Sequence, residues 1–560
     1  MKLLHLLFTI SFVWCFEDDP FLGFEEEPPI VEIADGSVRG GWEESTNGRK
    51  YAIFEGIPFA KPPVGELRFK APQPPVPWKG IFNASGSQEN CLQYDPFFEQ
   101  VSGSEDCLFI NVYTPHLKPT VELPVMVFVH GGAFMYGAGF HYDPVHLMDW
   151  DMVVVSFNYR VGPLGFLSTG DEAAPGNAGL KDQAFALHWV QKNIKAFGGD
   201  PDSVTVTGSS AGAASVHYLY LSPLANGTFS RGIAWSGSAL VPWAYTTKPI
   251  EKTRRLAELV GCPTNPEDMA NCLISKPSED IVNVTSLMFD WKMHMFSPFA
   301  PTAEPPLEGA FLTQHPYEAT RSGAMYDAPL IATVVSEEGL YPAAVYQKNP
   351  DEILPEIEDN WEFLAREIFM FNDTLPEDLK ATVAAKIKEF YLLGKPVSQE
   401  TFPQLVQAMG DRLFVTGTAK MAELHATNSK QPVFMYKYCF RGERSFTYAV
   451  TWNYKNFGVS HVDDIFHIFS VPLVTSSAPE DMKMTAALIN MIYSFAKDST
   501  PILSPEAPEW LPLVPGQPAL NYMEISSPTS YLMKSNEDFG HRAFWDSLGF
   551  NEDQNYKKEL

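Results

Sequence analysis

The clearest pattern along the chain is a series of short apolar, β-branched runs that end where small or polar residues take over. Such unbroken runs are typical of strands buried on both faces, at the centre of a sheet covered by helices. The clearest runs are PVMVFVHGG (124–132), DMVVVSFNYR (151–160), DSVTVTGSS (202–210), APLIATVVSEEG (328–339) and PVFMYKY (432–438). Helical spacing follows in LKDQAFALHWVQKNIKAF (180–197) and MKMTAALINMIYSFAK (482–497). This alternation predicts an α/β fold with a large, mostly parallel sheet flanked by helices.

The chain is long enough for several domains, but its pattern favours one. At roughly 150 residues per domain, the 560 residues would form about three or four. The sequence has no internal repeat and no low-complexity linker, and its proline-rich stretches contain aromatic residues, as packed surface loops do. After removal of an N-terminal signal, described below, we therefore predict a single elaborated α/β domain over residues 16–560.

The charge balance of the chain is strongly acidic. Lys and Arg total 40 whereas Asp and Glu total 68, which gives a formal net charge of −28. Such a surface repels phosphate backbones, so we expect no nucleic-acid partner. Composition and charge leave the oligomeric state open.

Both ends of the chain carry candidate targeting signals. The start, MKLLHLLFTISFVWCFEDDP, places one lysine before an apolar run, which predicts a secretory signal peptide over residues 1–15 with cleavage after Cys15. No other run reaches the ~18 uninterrupted apolar residues of a membrane span, so we expect a secreted protein without a transmembrane segment. The final KKEL (557–560) is similar to the Lys-Asp-Glu-Leu retention signal, with Lys558 at the acidic position. The endoplasmic reticulum lumen is therefore the alternative location.

Cysteine and asparagine patterns agree with export. Four cysteines form two closely spaced pairs, Cys91 with Cys107 and Cys262 with Cys272. This spacing predicts short local disulfides in an oxidising compartment. Cys439 lies in an apolar run, and we expect a free, buried thiol there. Candidate N-glycosylation sequons occur at Asn83, Asn226, Asn283 and Asn372.

The stretch SVTVTGSSAGAASVHYLY (203–220) begins as a strand and ends as a helix. Its centre, from Gly208 to Gly212, matches the G-x-S-x-G nucleophile elbow. A strand that turns sharply into a helix brings the neighbours of the central residue together, so the flanking positions must be small. The turn then presents Ser210 clear of the sheet, and the following helix adds a positive N-terminal end. A glycine-rich structural turn is the alternative interpretation.

A second glycine-rich segment supplies what a serine nucleophile needs. VFVHGGAFMYG (127–137) is a strand that ends in HGGA. Residues without bulky side chains let backbone N–H groups approach the oxyanion of a tetrahedral intermediate, and Ala211 contributes another N–H. Together the two segments indicate acyl-transfer chemistry.

With their flanking sequence, these segments resemble the type-B carboxylesterase and cholinesterase family of α/β-hydrolases, from about Pro28 to the C-terminal region. The motifs that carry the resemblance are FEGIPFAKPPVGELRF, SEDCLFINVYTP, HGGAF, NYRVGPLGFL, GNAGLKDQ, FGGDPDSVTVTGSSAG and GVSHVDD. The phrase DMVVVSFNYRVGPLGFLSTGDE is most similar to secreted insect carboxylesterases. The resemblance implies an α/β-hydrolase fold and serine ester hydrolysis.

The resemblance also implies a catalytic triad in the chain order Ser210, Glu338, His461. Glu338 in VVSEEG matches the family's acid, with Glu337 as the weaker candidate, and His461 in GVSHVDD matches the family's histidine, with His467 as the competitor. Independently, a triad on a parallel sheet requires a strand-end position for the acid and a loop for the base. In these roles His461 takes the Ser210 proton and later gives it to the leaving alcohol, while Glu338 orients the imidazole.

Further positions are assigned through the same resemblance. The family's three oxyanion donors match Gly132, Ala133 and Ala211, with Ala133 where cholinesterases have a third glycine. Supporting positions around the acid and base match Ser236 and Asp464. The two cysteine pairs match the family's disulfides, and its buried ion pairs match Arg68–Glu105 and Arg160–Asp182. The sequence contains no separate cluster of metal ligands and no phosphate loop, so we expect no cofactor and no metal.

The substrate class follows from two departures from cholinesterases. Their first disulfide loop carries a tryptophan that binds the choline cation through its π face. The corresponding residues 92–106 contain Tyr94, Phe97 and Phe98 but no tryptophan, and Ser209 stands where cholinesterases have glutamate. Both departures remove cation binding, so we predict hydrolysis of uncharged xenobiotic, dietary, odorant or hormone esters through an acyl-enzyme intermediate.

Two alternatives stay open. Juvenile hormone esterases resemble the chain but typically have glutamine at the position of Ser209. Non-catalytic adhesion proteins share the fold and commonly lack the nucleophile, since a fold does not establish a function. The serine, acid, base and oxyanion loop are all present here, which favours an enzyme.

Overall fold

The computed structural model describes residues 27–86 and 88–550. The predicted signal peptide (1–15) and the KKEL terminus (557–560) lie outside the described residues. Within the described ranges, no helix has the length and apolar character needed to cross a membrane.

The described residues form sixteen β-strands. In chain order they are β1 (Ile30–Ile33), β2 (Gly36–Arg39), β3 (Gly41–Glu44), β4 (Lys50–Pro58), β5 (Ile81–Asn83), β6 (Gln93–Asp95), β7 (Gln100–Ser102), β8 (Phe109–Thr114), β9 (Leu123–Val129), β10 (Val153–Phe157), β11 (Gly199–Ser209), β12 (Arg231–Trp235), β13 (Leu330–Val335), β14 (Val433–Tyr438), β15 (Leu520–Ser527) and β16 (Ser530–Asn536). The five apolar runs predicted as buried strands are β9, β10, β11, β13 and β14.

Eleven strands build one twisted sheet in the order β16-β15-β14-β13-β12-β11-β9-β10-β8-β4-β3. The strands from β15 to β10 in that order run parallel. Antiparallel strands extend the sheet beyond both ends of this parallel block. Strands β1, β2 and β5 form a small separate sheet, and β6 pairs with β7.

Seventeen α-helices connect and cover these strands in the described chain. They are α1 (Gly162–Phe166), α2 (Ala178–Asn193), α3 (Ala211–Leu221), α4 (Pro249–Leu259), α5 (Pro266–Ser275), α6 (Ser278–Asn283), α7 (Pro316–Ser322), α8 (Leu340–Ala343), α9 (Pro350–Asp359), α10 (Trp361–Ile368), α11 (Glu377–Leu392), α12 (Phe402–Gly410), α13 (Thr416–Asn428), α14 (Phe446–Thr451), α15 (Ile465–Ile468), α16 (Pro479–Asp498) and α17 (Arg542–Asp546). Between α12 and α13 lies one π-helical turn, Asp411–Val415. Short 3₁₀ segments occupy Gly65–Leu67, Gly139–His141, Leu147–Asp149, Ile194–Phe197, Pro223–Ala225, Pro242–Ala244, Val284–Met288 and Ala344–Lys348.

The sheet separates two hydrophobic cores, as the alternation of side chains along β9 shows. Val127 and Val129 point into the core that contains helices α2 and α3. Met126 and Phe128 point into the opposite core, which is closed by α16. Because successive side chains of a strand face opposite ways, a strand covered on both sides must be apolar throughout. The predicted large, mostly parallel sheet flanked by helices is confirmed.

Parallel strands bring their carboxyl ends to one edge of the sheet. Gly131 and Gly132 follow β9, Ser210 follows β11, and Glu338 lies three residues beyond the end of β13. His461 lies in the long connection between β14 and α15. The order of strands therefore gathers residues that lie far apart in the sequence at one edge.

Within residues 27–86 and 88–550, two disulfides join Cys91 to Cys107 and Cys262 to Cys272. Cys439 has no disulfide partner among these residues, and it is half-buried rather than fully buried because it lies just beyond the end of β14. Burial raises the pKa of its thiol to about 11, so it is not a reactive thiolate at neutral pH.

The ion pair of Arg160 and Asp182 is almost wholly removed from solvent, with side-chain exposures of 4% and 0%. The guanidinium donates to Asp182 through Nε at 2.8 Å and through Nη2 at 2.7 Å. Arg68 makes the same two-bonded contact with Glu105, at 2.7 Å for each bond. Such buried pairs are costly to break because one charge is left without a partner.

We expect Asp182→Ala to lower the free energy of unfolding by about 3–5 kcal/mol, because Arg160 stays buried without its counterion. The matched control is Asp151→Ala, which breaks a pair between Arg49 and an aspartate that is 56% exposed. That change is expected to cost at most about 1 kcal/mol. Denaturant unfolding measures both. An equal loss of unfolding free energy in the two variants would contradict the conclusion that breaking the buried Arg160–Asp182 pair is the more costly change.

Helix α17 is connected to the π-helical turn by an ionisable pair between His541, which precedes the helix, and Asp411. His541 Nδ1 lies 2.7 Å from Asp411 Oδ2, and this hydrogen bond raises the pKa of His541. Asp411 Oδ2 also accepts from the hydroxyl of Tyr391 at 2.9 Å.

The raised pKa gives the attachment of α17 a defined pH dependence. A histidine whose pKa is higher in the folded chain adds stability that is complete below its unfolded pKa and is lost as pH rises through the folded value. We expect His541→Gln to lower the thermal unfolding midpoint most at about pH 5.5 and least at about pH 9. Thermal unfolding across that range measures the difference, and a loss of equal size at every pH would contradict the prediction.

Candidate active site

Ser210 occupies a strained turn between β11 and α3. Its backbone has φ 59° and ψ −119°, a conformation that residues with side chains rarely adopt. The flanking glycines explain how the turn closes: a Cβ on Gly208 would lie 2.3 Å from the carbonyl oxygen of Gly212, and a Cβ on Gly212 would lie 2.0 Å from that of Val129. The Ser210 N–H donates to the Trp235 carbonyl at 2.8 Å, which ties the turn to β12. The sequence pattern and the steric requirement agree.

The acid and the base predicted from sequence meet in the structure. His461 Nδ1 lies 2.6 Å from Glu338 Oε2, and both side chains are almost fully buried. Glu338 Oε1 accepts from the Val335 N–H at 2.8 Å, which fixes the carboxylate. In the described chain, His461 Nε2 is buried and has no hydrogen-bond partner, so the structure does not join it to Ser210. A nucleophile and its base often lie loosely apart until substrate binds.

The two competing residues are engaged elsewhere. Glu337 Oε2 accepts from the Val459 N–H at 2.7 Å and from the Ser336 hydroxyl at 2.5 Å. The His467 ring lies between Tyr438 and Phe440, and burial lowers its pKa to about 4. The geometry therefore selects Glu338 and His461 as the interacting pair.

Carboxylates also hold the segment that carries His461. The Glu337 N–H donates to the Val459 carbonyl at 3.1 Å, so both the backbone and the side chain of Glu337 bind the Val459 backbone. Asp463 accepts from the Ser460 N–H and from the Phe446 N–H, each at 2.8 Å. Burial raises the pKa of Asp463 to about 7. The base is thus placed by hydrogen bonds to the backbone of the two residues that precede it, Val459 and Ser460.

The loop after β9 and the start of α3 present backbone N–H groups that are available as oxyanion donors. Within the described residues, the N–H groups of Gly132, Ala133 and Ala211 donate no hydrogen bond. Gly132 has φ 112° and Ala133 has φ 53°, so the loop turns in the left-handed region. His130 anchors the loop, since its ring stacks on Tyr159 with centroids 4.2 Å apart. Such free donors suit an oxygen that becomes negative during reaction.

The two supporting residues differ in their surroundings. Asp464 Oδ2 accepts from the Tyr436 hydroxyl at 2.7 Å, and burial raises its pKa to about 6, with Glu338 raising it further and His461 lowering it. Asp464 therefore lies within electrostatic reach of the acid and the base. Ser236 is buried next to the elbow strand, but its Oγ has no partner among the described residues. Its hydroxyl makes no hydrogen bond to the acid.

Aromatic side chains surround the acid–base pair. The rings of Tyr341 and Phe414 lie 5.4 Å and 4.3 Å from the His461 ring. Phe97 meets Tyr341 and Phe446 edge to face. Sequence reasoning missed Tyr341, Phe414 and Phe446, because single aromatic residues far from a motif carry no pattern. Tyr341 alone had a weak signal, its place three residues after Glu338.

The first disulfide loop contributes to this aromatic wall through one residue. Phe97 belongs to the wall, and the centre of its ring lies 5.8 Å from that of Tyr136. Tyr94 is buried against Phe289, and Phe98 is 69% exposed. The loop therefore places one phenyl ring, and no indole, beside the site.

Comparison with known proteins agrees with this geometry. The carboxylesterase family profile matches residues 27–545. A carboxylic ester hydrolase from Bombus ignitus is 40% identical over 537 residues, covering 94% of this chain and 96% of that protein. Venom carboxylesterase-6 from Apis mellifera is 39% identical over 563 residues and covers 99% of both chains. The crystal structure of juvenile hormone esterase from Manduca sexta with OTFP covalently attached has a TM-score of 0.81 and 29% identity, covering 93% of this chain and 99% of that chain.

The chain belongs to the carboxylesterase family, and its fold is the α/β-hydrolase fold. It is a carboxylesterase, with insect carboxylesterases among its relatives. The family resemblance stated from the sequence motifs is confirmed.

Proposed function

We propose that this carboxylesterase hydrolyses uncharged esters through an acyl-enzyme formed on Ser210, with His461 as general base and Glu338 as its orienting acid. The observation that carries the proposal is the 2.6 Å contact between Glu338 and His461 at the sheet edge that also presents Ser210 on its strained turn. A buried carboxylate on Nδ1 leaves Nε2 as the proton acceptor.

In the first step, His461 Nε2 takes the hydroxyl proton while Ser210 Oγ attacks the ester carbonyl carbon. The bond to the alkoxy oxygen then breaks, and the imidazolium returns the proton to the leaving alcohol. In the second step, water loses a proton to His461 and attacks the acyl carbon. The bond from that carbon to Ser210 Oγ then breaks, the imidazolium returns its proton to Ser210 Oγ, and the acid is released. The free N–H groups of Gly132, Ala133 and Ala211 would stabilise the oxyanion in both steps.

The preference for uncharged substrates is inferred from the wall of the site. Its aromatic side chains include Tyr341 and Phe97, whose rings bury apolar groups well. The first disulfide loop has no tryptophan, and Ser209 replaces the glutamate of cholinesterases. A carboxylate and an indole are the groups that favour a quaternary cation.

A second candidate is juvenile hormone esterase activity. The structural similarity to the Manduca sexta enzyme favours it, whereas Ser209 in place of the usual glutamine speaks against it. A screen of esters with different acyl chains, including a juvenile hormone, distinguishes general carboxylesterase activity from juvenile hormone esterase activity by the substrate with the highest kcat/KM. The adhesion alternative requires an inactive site, and the paired Glu338 and His461 speak against it.

We further infer that the protein is a secreted, glycosylated monodomain enzyme whose partners are small esters. Support comes from the signal-like start, the two disulfides and the sequons. The side chains of Asn83, Asn226 and Asn283 are exposed and suit glycan attachment. Asn372 is half-buried, and its Oδ1 accepts from Lys380 at 2.9 Å, so it suits a glycan less well.

Replacing Ser210 with alanine should lower kcat by about 10⁴–10⁶ while the chain stays folded, because the nucleophile is lost. The matched control is Ser209→Ala, which removes the neighbouring buried hydroxyl and is expected to keep kcat within about tenfold. An organophosphate should label Ser210 in a one-to-one ratio, as peptide mapping would reveal. An adduct on Ser209 would show that Ser210 is not the nucleophile.

Charge on the substrate alcohol should bring no benefit. We compare a choline ester with its uncharged dimethylbutyl analogue, which has the same shape. A desolvated cation–π contact of ~2 kcal/mol would favour the cation by ~30-fold where such a site exists. We expect the neutral ester to be hydrolysed as fast or faster, since its alcohol need not lose a cation's hydration. A choline preference that persists at high salt, where long-range attraction is screened, would contradict the proposal.

A further inference from the structure

One long helical segment, from Phe402 to Asn428, contacts the acid of the candidate pair through its backbone. A Cβ placed on Gly410 would lie 2.9 Å from the Gly339 nitrogen and 3.4 Å from Glu338 Cβ. A Cβ placed on Gly339 would lie 2.0 Å from the Val406 carbonyl oxygen. Glycine on both sides therefore lets α12 press directly against the turn that carries Glu338.

The same segment contacts the base through the π-helical turn that follows. Asp411–Val415 forms this turn between α12 and α13, and it carries Phe414. A π turn inserts one residue into a helix, which redirects the side chains around it by roughly 100°. Phe414 is fully buried, and its ring lies 4.3 Å from that of His461 with 38° between the planes. Such turns occur often at functional sites.

The outer side of the π turn is fixed by other parts of the chain. The Leu413 carbonyl accepts from Trp243 Nε1 at 2.8 Å. Arg412 Nε donates to the Phe369 carbonyl at 3.0 Å, and its guanidinium lies 4.1 Å from the centre of the Phe550 ring. Phe414 is therefore held from behind and cannot withdraw easily from the imidazole.

A ring held by one hydrogen bond can pivot about it. His461 has such a bond at Nδ1, and within the described residues Nε2 has no partner to stop that motion. The remaining constraint is packing, and Phe414 makes the shortest aromatic contact with the ring. The charged groups that face the imidazole, Glu338 and Asp464, would be the same in a variant of Phe414.

We propose that Phe414 is a positioning residue that holds the imidazole of His461 with Nδ1 on Glu338 and Nε2 toward the nucleophile. The inference rests on the proposed function, since it adds a device to the same catalytic pair. Small displacements of a catalytic group cost large factors in rate. Because Phe414 acts on the base rather than on the substrate, its loss would lower kcat and leave KM nearly unchanged.

The kinetic test compares Phe414→Leu with Phe434→Leu, a matched change of a buried phenylalanine that packs on Phe495 and Trp510 instead. We expect Phe414→Leu to lower kcat for a p-nitrophenyl ester by about 10–100-fold with KM within about threefold. Phe434→Leu should lower the thermal unfolding midpoint and keep kcat within about threefold. A folded Phe414→Leu protein with kcat within threefold of the control would overturn the proposal. If Phe414→Leu does not fold, Phe414→Met, which retains more volume, takes its place.

A second measurement does not depend on turnover. The Nδ1 proton shared with Glu338 should give a far-downfield proton NMR resonance in the full-length protein, assigned by its absence in His461→Ala. We expect this resonance to broaden or vanish in Phe414→Leu and to persist in Phe434→Leu. An unchanged resonance in Phe414→Leu would also overturn the proposal. Wild-type protein without esterase activity would refute the proposed function, and the resonance would still decide the role of Phe414.

Discussion

The parallel alignment of the central strands is the constraint on which the rest of the structure depends. Their carboxyl ends meet at one edge, where Gly132, Ser210 and Glu338 follow three different strands. Because the central parallel strands are hydrogen-bonded on both sides and covered on both faces, each strand end is held by its neighbours. The long connection after β14 then needs to bring only His461 into place. The strand ends and this hydrogen-bonded segment together fix the relative positions of the candidate catalytic groups.

Close approach of backbones is the means by which the segments meet at this edge. The turn at Ser210 closes because Gly208 and Gly212 have no Cβ, and α12 reaches the acid because Gly339 and Gly410 have none. Backbone contacts of this kind tolerate no side chain and leave little freedom to slide. The glycines therefore determine the distances between the functional groups, although none of them takes part in the chemistry.

The site also concentrates buried polar atoms that lack partners. Among the described residues these include Ser209 Oγ, Ser236 Oγ, His461 Nε2 and Asp464 Oδ1. Each such atom lowers the stability of the fold, since burial removes its hydrogen bonds to water. The cost is offset by the two apolar cores. A ring nitrogen without a hydrogen-bond partner, such as His461 Nε2, is also what a general base requires before substrate arrives.

The sequence by itself determined five central strands, the elbow at Ser210 and the family, because these are recorded in residues that are adjacent along the chain. Apolar runs identify buried strands, and glycine spacing identifies a turn that only glycine permits. The motifs also singled out Glu338 and His461, yet they could not exclude Glu337 and His467. The tertiary structure distinguishes them by their contacts, since it joins Glu338 to His461 across 123 residues and hydrogen-bonds Glu337 to the Val459 backbone. It alone revealed the aromatic contacts of Tyr341 and Phe414, because a contact between distant residues depends on how elements pack, and a single ring leaves no periodic signal in the sequence.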